Sequence, residues 1–457
     1  MQTFVFARGM NTIRNQSSTV NILYIHTHDT GRYLGSYGHE VHTPELDAFA
    51  GQAVRFPNAH SVAPTCSPSR SGLLTSTYPH ENGMLGLAHR GFSLRDYSLH
   101  LVTHLKSLGY TTALCGVQHV APNKSQIGYD RILDDEVDYF QQDITDLESY
   151  DRGNAERAAR FLMTPPADPF FLSFGMLNTH RPFPGRKQEY RHNLKPPGYI
   201  PDTELTRADA AGFYASVETV DACAGMVLDA LAHSGREADT LVIFTTDHGP
   251  PFPGMKATLT DGGTGVALLL RPPGGRNLPQ VVDSMVSHLD LFPTICELTN
   301  SRPPHQLRGR SLLPLIRGET ISLHSYLFSE INFHAAYEPT RAVRSERYKL
   351  IRHFPPHSHR LAVNVDDSAS KDLFHARGYF SKPIEEYEFY DLHDDPGERK
   401  NRISDPAYSA EIQELLEALS SWMSETSDPL LQGPIEAPPG AILNSPDAYS
   451  PESGDFE

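Results

Sequence analysis

VNILYIHTHD, residues 20–29, is an apolar, β-branched run that stops abruptly at two histidines and an aspartate. Ile22 to Ile25 show no polar alternation, so the run reads as a strand covered on both faces, the pattern of a parallel sheet. Four more runs share it: TTALCGV (111–117), PFFLSFGML (169–177), TLVIFTT (240–246) and GVALLLR (265–271). Helical patterns lie between them. SLHLVTHLKSLGY carries Leu101, Val102, Leu105 and Leu108 on one stripe, with Gly109 as its stop. Residues 208–235 place Phe213, Val217, Val220, Ala224, Val227, Leu228 and Leu231 at helical spacing. Strands alternating with helices predict an α/β fold, with a large mixed, mainly parallel sheet flanked by helices.

The texture changes after about residue 320. RYKLIRHF (347–354) and YEFYDLH (387–393) read as strands of a smaller antiparallel sheet, and about 406–424 as an amphipathic helix. The chain therefore divides into an N-terminal extension (1–19), a principal domain (20–320), a C-terminal α+β subdomain (321–430) and a Pro-rich acidic tail (431–457) expected to be loosely ordered.

The 457 residues include 39 Lys and Arg against 56 Asp and Glu, a formal charge of −17. That balance, with no basic cluster, argues against nucleic acid and anionic membrane as partners. No run approaches the length of a membrane-crossing helix, and MQTFVFARGMNTIRNQ has no apolar core of secretory length, so a cytoplasmic location is the expectation. Cys66, Cys115, Cys223 and Cys296 are far apart and form no CxxC pair, which excludes a disulfide scaffold and a zinc ribbon. Oligomeric state is not legible.

Four of the proposed strands run into titratable residues. The first ends in His26, His28 and Asp29, the second in His119, the third in His180, and the fourth in Asp247 and His248. Ligands of open α/β sheets bind beyond the carboxyl ends of the strands, so distant segments converge on one edge. Asp29, Asp247 and His248 offer oxygen and imidazole donors for a divalent cation. Cys66 opens an apolar segment in SVAPTCSPSRSGLLTSTYP (61–79), with Arg70 one turn on. Three uses compete for it: a plain buried thiol, a thiolate nucleophile aided by a helix N-terminus and by His119 or His180, or a precursor of something else.

The run CSPSRSGLLTSTYPHENGM (66–84) resembles the signature of the type I sulfatases, in the alkaline phosphatase superfamily. The resemblance extends over NILYIHTHDTGRYLGSYG, TPELDAFAGQAVRFPNAHS, THRPF, TDHGPPFPGMK and LDLFPTICEL, covering most of 20–320, with an echo in YKLI and YDLHDDPGERKN. HENGMLGL, QHVAP and DHGPPFP are most similar to the heparan N-sulfatase branch. The resemblance implies a catalytic domain over 20–320. It also implies that a formylglycine-generating enzyme oxidises Cys66 to Cα-formylglycine, whose hydrate attacks sulfur and releases sulfate through a sulfated intermediate.

By matching positions, Asp29, Asp247, His248 and residue 66 hold the metal, joined by His28. Arg70 orients the hydrate, and His119 is the base that opens the intermediate. His180 and Lys256 bind the sulfate oxygens, and His180 protonates the leaving group. The substrate implied is a sulfate ester or sulfamate, on a small sulfated molecule or short saccharide.

Three positions depart from the family pattern. His28-Asp29 replaces two acids, Asp247-His248 replaces Asp-Asn, and Val117 stands where a lysine precedes the active-site histidine. Ca²⁺ is the family default, whereas imidazole donors suit Mn²⁺ or Zn²⁺. Asp-His also occurs in the superfamily's phosphonate monoester and phosphodiester hydrolases, which makes that chemistry the alternative. The loops 80–97, 181–205 and 355–385 are expected to line the mouth of the pocket, with RHFPPHSHR read as an exposed loop.

Overall fold

The computed structural model describes residues 20–134, 144–184, 194–275, 278–354, 356–454 and 456. The expected N-terminal extension, part of the 181–205 loop and Pro355 of the 355–385 loop lie outside the described residues.

The strands of the principal domain are β1 (Asn21–Thr27), β2 (Val54–Arg55), β3 (Ala59–His60), β4 (Thr111–Gly116), β5 (Arg131–Ile132), β6 (Phe170–Gly175), β7 (Thr240–Thr246), β8 (Leu268–Arg271) and β9 (Val286–Ser287). Seven form one sheet in the order β2-β8-β7-β1-β6-β4-β5, while β3 and β9 pair separately. From β7 to β5 every pairing is parallel. The run 265–271 departs from the parallel reading, since β8 lies antiparallel to β7. It follows β7 through a long loop rather than through a crossover helix, and a strand buried on both faces has the same apolar pattern in either direction.

Alternate residues of each strand feed opposite faces. Leu23, Ile25, Leu172, Phe174, Val242 and Phe244 pack on the side of helices Leu147–Met163 and Glu204–His233. Ile22, Tyr24, Phe171, Leu241 and Ile243 pack on the side of Leu101–Ser107, Leu291–Leu298 and Leu313–Ile316. Both faces are thereby covered, which is why none of these strands shows polar alternation.

The remaining strands, β10 (Leu327–Phe333), β11 (Tyr337–Arg344), β12 (Tyr348–His353) and β13 (Tyr387–Asp391), form an antiparallel sheet in sequence order. Leu415, Leu419, Trp422 and Met423 of helix Ser409–Glu425 seal one face against Val343, Leu350 and Phe389.

The tail departs from the loose segment expected. Ile435, Ala437, Ala441 and Leu443 pack against the principal core, Asn444 is fully buried, and Ala448 is covered by Ala335, Leu361 and Val363. Its prolines and acids hide a spaced set of apolar residues that the body of the protein accepts. RHFPPHSHR is likewise not a free loop, because His353 and Arg360 both face Glu388.

Candidate active site

The four strands that end in titratable residues, β7, β1, β6 and β4, are consecutive in the sheet and parallel. Their carboxyl ends therefore share one edge, the ligand-binding edge of open α/β sheets. Onto that edge the helix Cys66–Thr75, with all ten residues buried, brings its first residue.

Around Cys66 the donors are close. Its Sγ lies 3.3 Å from Nε2 of His248 and 4.0 Å from Oδ1 of Asp29. Nε2 of His248 is 3.2 Å from the same Asp29 oxygen, and Nδ1 of His28 is 3.2 Å from Oδ2 of Asp247. One ligand atom from each of His28, Asp29, Cys66 and Asp247 falls within a mutual span of 4.8 Å. His28, Asp29 and His248 are fully buried, and Cys66 and Asp247 are nearly so.

Backbone and buried polar groups hold these side chains in place. Oδ1 of Asp247 accepts from the backbone N–H of Asp29 and of His248, at 2.8 and 2.9 Å. The Arg70 guanidinium binds Oδ2 of Asp247, the carbonyl of Thr27 and the ring of His26. Arg70 thus braces the Asp247 carboxylate from behind. Asp29 sits at φ +48°, a left-handed conformation that aspartate tolerates better than most residues. Asp151, from helix Leu147–Met163, accepts from the backbone N–H of Leu177 and Asn178 and so secures the turn that leads to His180.

The arrangement fits a divalent cation on chemical grounds. Nδ1 of His248 donates to the carbonyl of Gly249, 2.9 Å away, which turns Nε2 toward Cys66 and Asp29. Nε2 of His28 is buried and has no hydrogen-bond partner among the described residues. Burial, reinforced by Arg70 and opposed by Asp247, lowers the His28 pKa to about 4, so its imidazole is neutral at pH 7. Burial would raise the Asp247 carboxyl, yet His248, Arg70 and His28 together hold it well below the usual carboxylate range. Anionic oxygen beside neutral imidazole is a ligand set that suits Mn²⁺, Zn²⁺ or Fe²⁺ better than Ca²⁺.

Cys66 itself is not a poised thiolate. Burial pushes its thiol far up, Asp29 and Asp247 add to that, and Lys256 and Arg70 offset only part. The helix N-terminus expected to activate it is outweighed by desolvation.

The remaining residues singled out in the sequence surround this centre. The His119 ring lies 5.8 Å from that of His28, and the His180 ring meets His28 edge-on at 5.6 Å. Nδ1 of His180 donates to the carbonyl of Arg181. Lys256 is 4% exposed and not the solvated surface lysine its isolated sequence context suggests. Its Nζ bridges Oδ2 of Asp29 and Oδ2 of Asp366, both at 2.9 Å. Burial alone would lower the Lys256 pKa, but Asp29 and Asp366 raise it well above the ordinary value.

Val117 does not face this group, since it packs with Leu147 and Leu177. Sequence reasoning missed Asp366 and His89. Nδ1 of His89 is 2.9 Å from Nε2 of His119. Both lie in segments expected to line the mouth, but neither carries a local signal. Beyond His180 the site opens into a cleft of about 630 Å³, lined by Arg181, Phe183, Asp209, Asp366 and Glu452 among others. That volume lies within the ~300–1,000 Å³ typical of small-ligand sites.

A mainly parallel sheet that gathers buried acids and imidazoles around one helix-borne residue is the arrangement of a hydrolase of the alkaline phosphatase type. Comparison with known proteins narrows this. A sulfatase family profile matches residues 20–301, and the C-terminal profile of N-sulphoglucosamine sulphohydrolase matches 256–366. Human N-sulphoglucosamine sulphohydrolase is 30% identical over 91% of this chain and 92% of its own. An ulvan-active sulfatase of Formosa agariphila is 28% identical over 92% of this chain and 83% of its own. A crystal structure of a putative sulfatase from Bacteroides thetaiotaomicron superposes with a TM-score of 0.69 at 22% identity, covering 95% of this chain and all of the other. The chain belongs to the sulfatase family, as a sulfuric ester hydrolase with the fold expected from its sequence.

Proposed function

We propose that the protein is a formylglycine-dependent sulfatase that hydrolyses a sulfate ester or sulfamate on a saccharide. The observation that carries this reading is the state of Cys66. It is buried beside His248 and Asp29 with its thiol held protonated, a poor nucleophile as it stands but well placed as a precursor. Formylglycine at this position would supply a geminal diol, and a divalent ion would supply positive charge for the reaction.

The chain's own residues have distinct parts. His28, Asp29, Asp247 and residue 66 would hold the ion, joined by His248 beside Asp29, with Arg70 keeping the Asp247 carboxylate in place. Lys256, kept charged by Asp29 and Asp366, meets the sulfate oxygens as negative charge develops. His180 lies at the cleft and delivers a proton to the departing oxygen or nitrogen. His119 is held neutral, by burial first and then by His89 and His28, and takes a proton at residue 66. The substrate class is inferred from relatives named for N-sulphoglucosamine and for ulvan. A formylglycine-generating enzyme is the partner this reading requires.

Peptide mass spectrometry of Phe56 to Arg70, FPNAHSVAPTCSPSR, tests the precursor role in protein from a host that matures other sulfatases. The expected result is aldehyde or hydrate at position 66, and an unmodified thiol would overturn it. The imidazoles of His28 and His248 beside Asp247 and Asp29 favour one second reading, a phosphonate monoester or phosphodiester hydrolase with the same nucleophile. Parallel rates on N-sulfoglucosamine, an aryl sulfate and an aryl phosphonate decide between the two.

A further inference from the structure

His119 has a neighbour from outside the four strands that build the site. His89, in the short turn Ala88–Arg90, places Nδ1 2.9 Å from Nε2 of His119, with the rings 18° apart and their centroids separated by 5.2 Å. One ring must donate and the other accept, so the bond ties the tautomer of each ring to that of the other and restrains their planes. His119 itself lies at φ +55° in the loop after β4.

The turn carrying His89 is pinned from two sides. On one, the N–H of Ala88 donates to Oγ of Ser67, the residue after Cys66, at 2.9 Å. On the other, the guanidinium of Arg90 donates to Oδ1 of Asn444 and the carbonyl of Pro451, at 2.6 and 3.2 Å, and the N–H of Ile442 donates to the Arg90 carbonyl. Asn444 is fully buried. The C-terminal segment thus reaches the turn that carries His89 through Arg90.

We propose that His89 is a positioning residue, setting the tautomer and ring plane of His119, and that the C-terminal segment around Asn444 and Pro451 holds it in register. This rests on the sulfatase reading only for what His119 does to substrate. Removing the His89 ring deletes the hydrogen bond to His119. Asparagine keeps an amide close to where Nδ1 stood, so it retains the bond without an imidazole.

The test uses full-length, matured, metal-loaded enzyme with histidine rings labelled with ¹⁵N, as wild type, His89→Ala and His89→Asn. The His119 signals are assigned by their loss in His119→Gln. One His119 tautomer is expected in the wild type and a mixture in His89→Ala, while His89→Asn, whose amide can donate or accept, should keep the ring bonded. With N-sulfoglucosamine as probe, His89→Ala should lose about 10- to 100-fold in kcat with KM within about twofold, and His89→Asn should recover most of that.

A wild-type tautomer that persists in His89→Ala, or an unchanged kcat there, overturns the proposal. Equal impairment of both variants with a matching fall in Tm also overturns it, since that marks a merely structural role. An enzyme inert on every sulfate ester and sulfamate would sink the functional reading instead, while the tautomer result would still decide whether His89 sets the ring.

Discussion

Nζ of Lys256 lies 2.9 Å from Oδ2 of Asp29, and both side chains are almost completely removed from solvent. Asp366 holds the other side of the ammonium at the same distance, so one cation joins a candidate metal ligand to the wall of the cleft. Lys256→Ala leaves two buried carboxylates facing each other and no charge for the sulfate oxygens. The expected loss is about 100- to 1,000-fold in kcat, measured by sulfate release. Asp366→Asn should cost less, since Asp29 still supports the lysine. Equal losses in the two variants would contradict the roles assigned here.

The donor set makes a prediction about metal preference. His248→Asn replaces the imidazole nitrogen beside Asp29 with a carbonyl oxygen. Calorimetric titration of metal-free protein should then show Ca²⁺ gaining relative to Mn²⁺ and Zn²⁺. An unchanged order of affinities would mean that His248 does not contact the ion.

Val117 tests whether the missing lysine can be restored. The side chain is 1% exposed and packs against Leu147 and Leu177. Val117→Lys should therefore destabilise the fold by about 2–4 kcal/mol without raising activity. A Tm equal to wild type with faster turnover would show instead that a lysine here can swing into the site.

Acid sensitivity follows from histidines folded in the neutral state. His100 is fully buried, and its Nδ1 accepts from the N–H of Val102 as the cap of helix Leu101–Ser107. Burial lowers its pKa from 6.5 to about 3. Burial also lowers His288 to about 3, and His28 sits at about 4. Below pH 6.5 the unfolded chain takes up these protons and the folded one does not, so stability falls as pH drops toward 3 and is full above 6.5. Urea melts across that window should show the decline. In His100→Asn, which keeps a capping acceptor but cannot titrate, stability should be lower at neutral pH and its decline shallower. A slope identical to wild type would remove His100 from the account.

The strands and helices that build the site were legible because each is a local pattern. β1, β4, β6 and β7 are legible as short unbroken apolar runs, each followed by a titratable residue of the candidate site. β8 was found as a strand but not in its direction, because burial on both faces erases the signal that separates parallel from antiparallel pairing. The Pro-rich tail was misjudged for a related reason. Its apolar residues are too widely spaced to form any period, and only the grooves they fill give them meaning.

By itself, the sequence determined an α/β sheet with its acids and imidazoles at strand ends, and a cysteine in the setting of a family that converts it. Those features depend on residues adjacent in the chain or repeating at fixed spacing, so backbone geometry reads them out directly. Tertiary structure alone decided that Lys256 lies between Asp29 and Asp366, that Arg70 braces Asp247, that His89 meets His119, and that burial outweighs the helix N-terminus at Cys66. Each of these depends on charge and desolvation among groups tens to hundreds of residues apart or on burial by the whole fold, and neither is a property of any local stretch of chain.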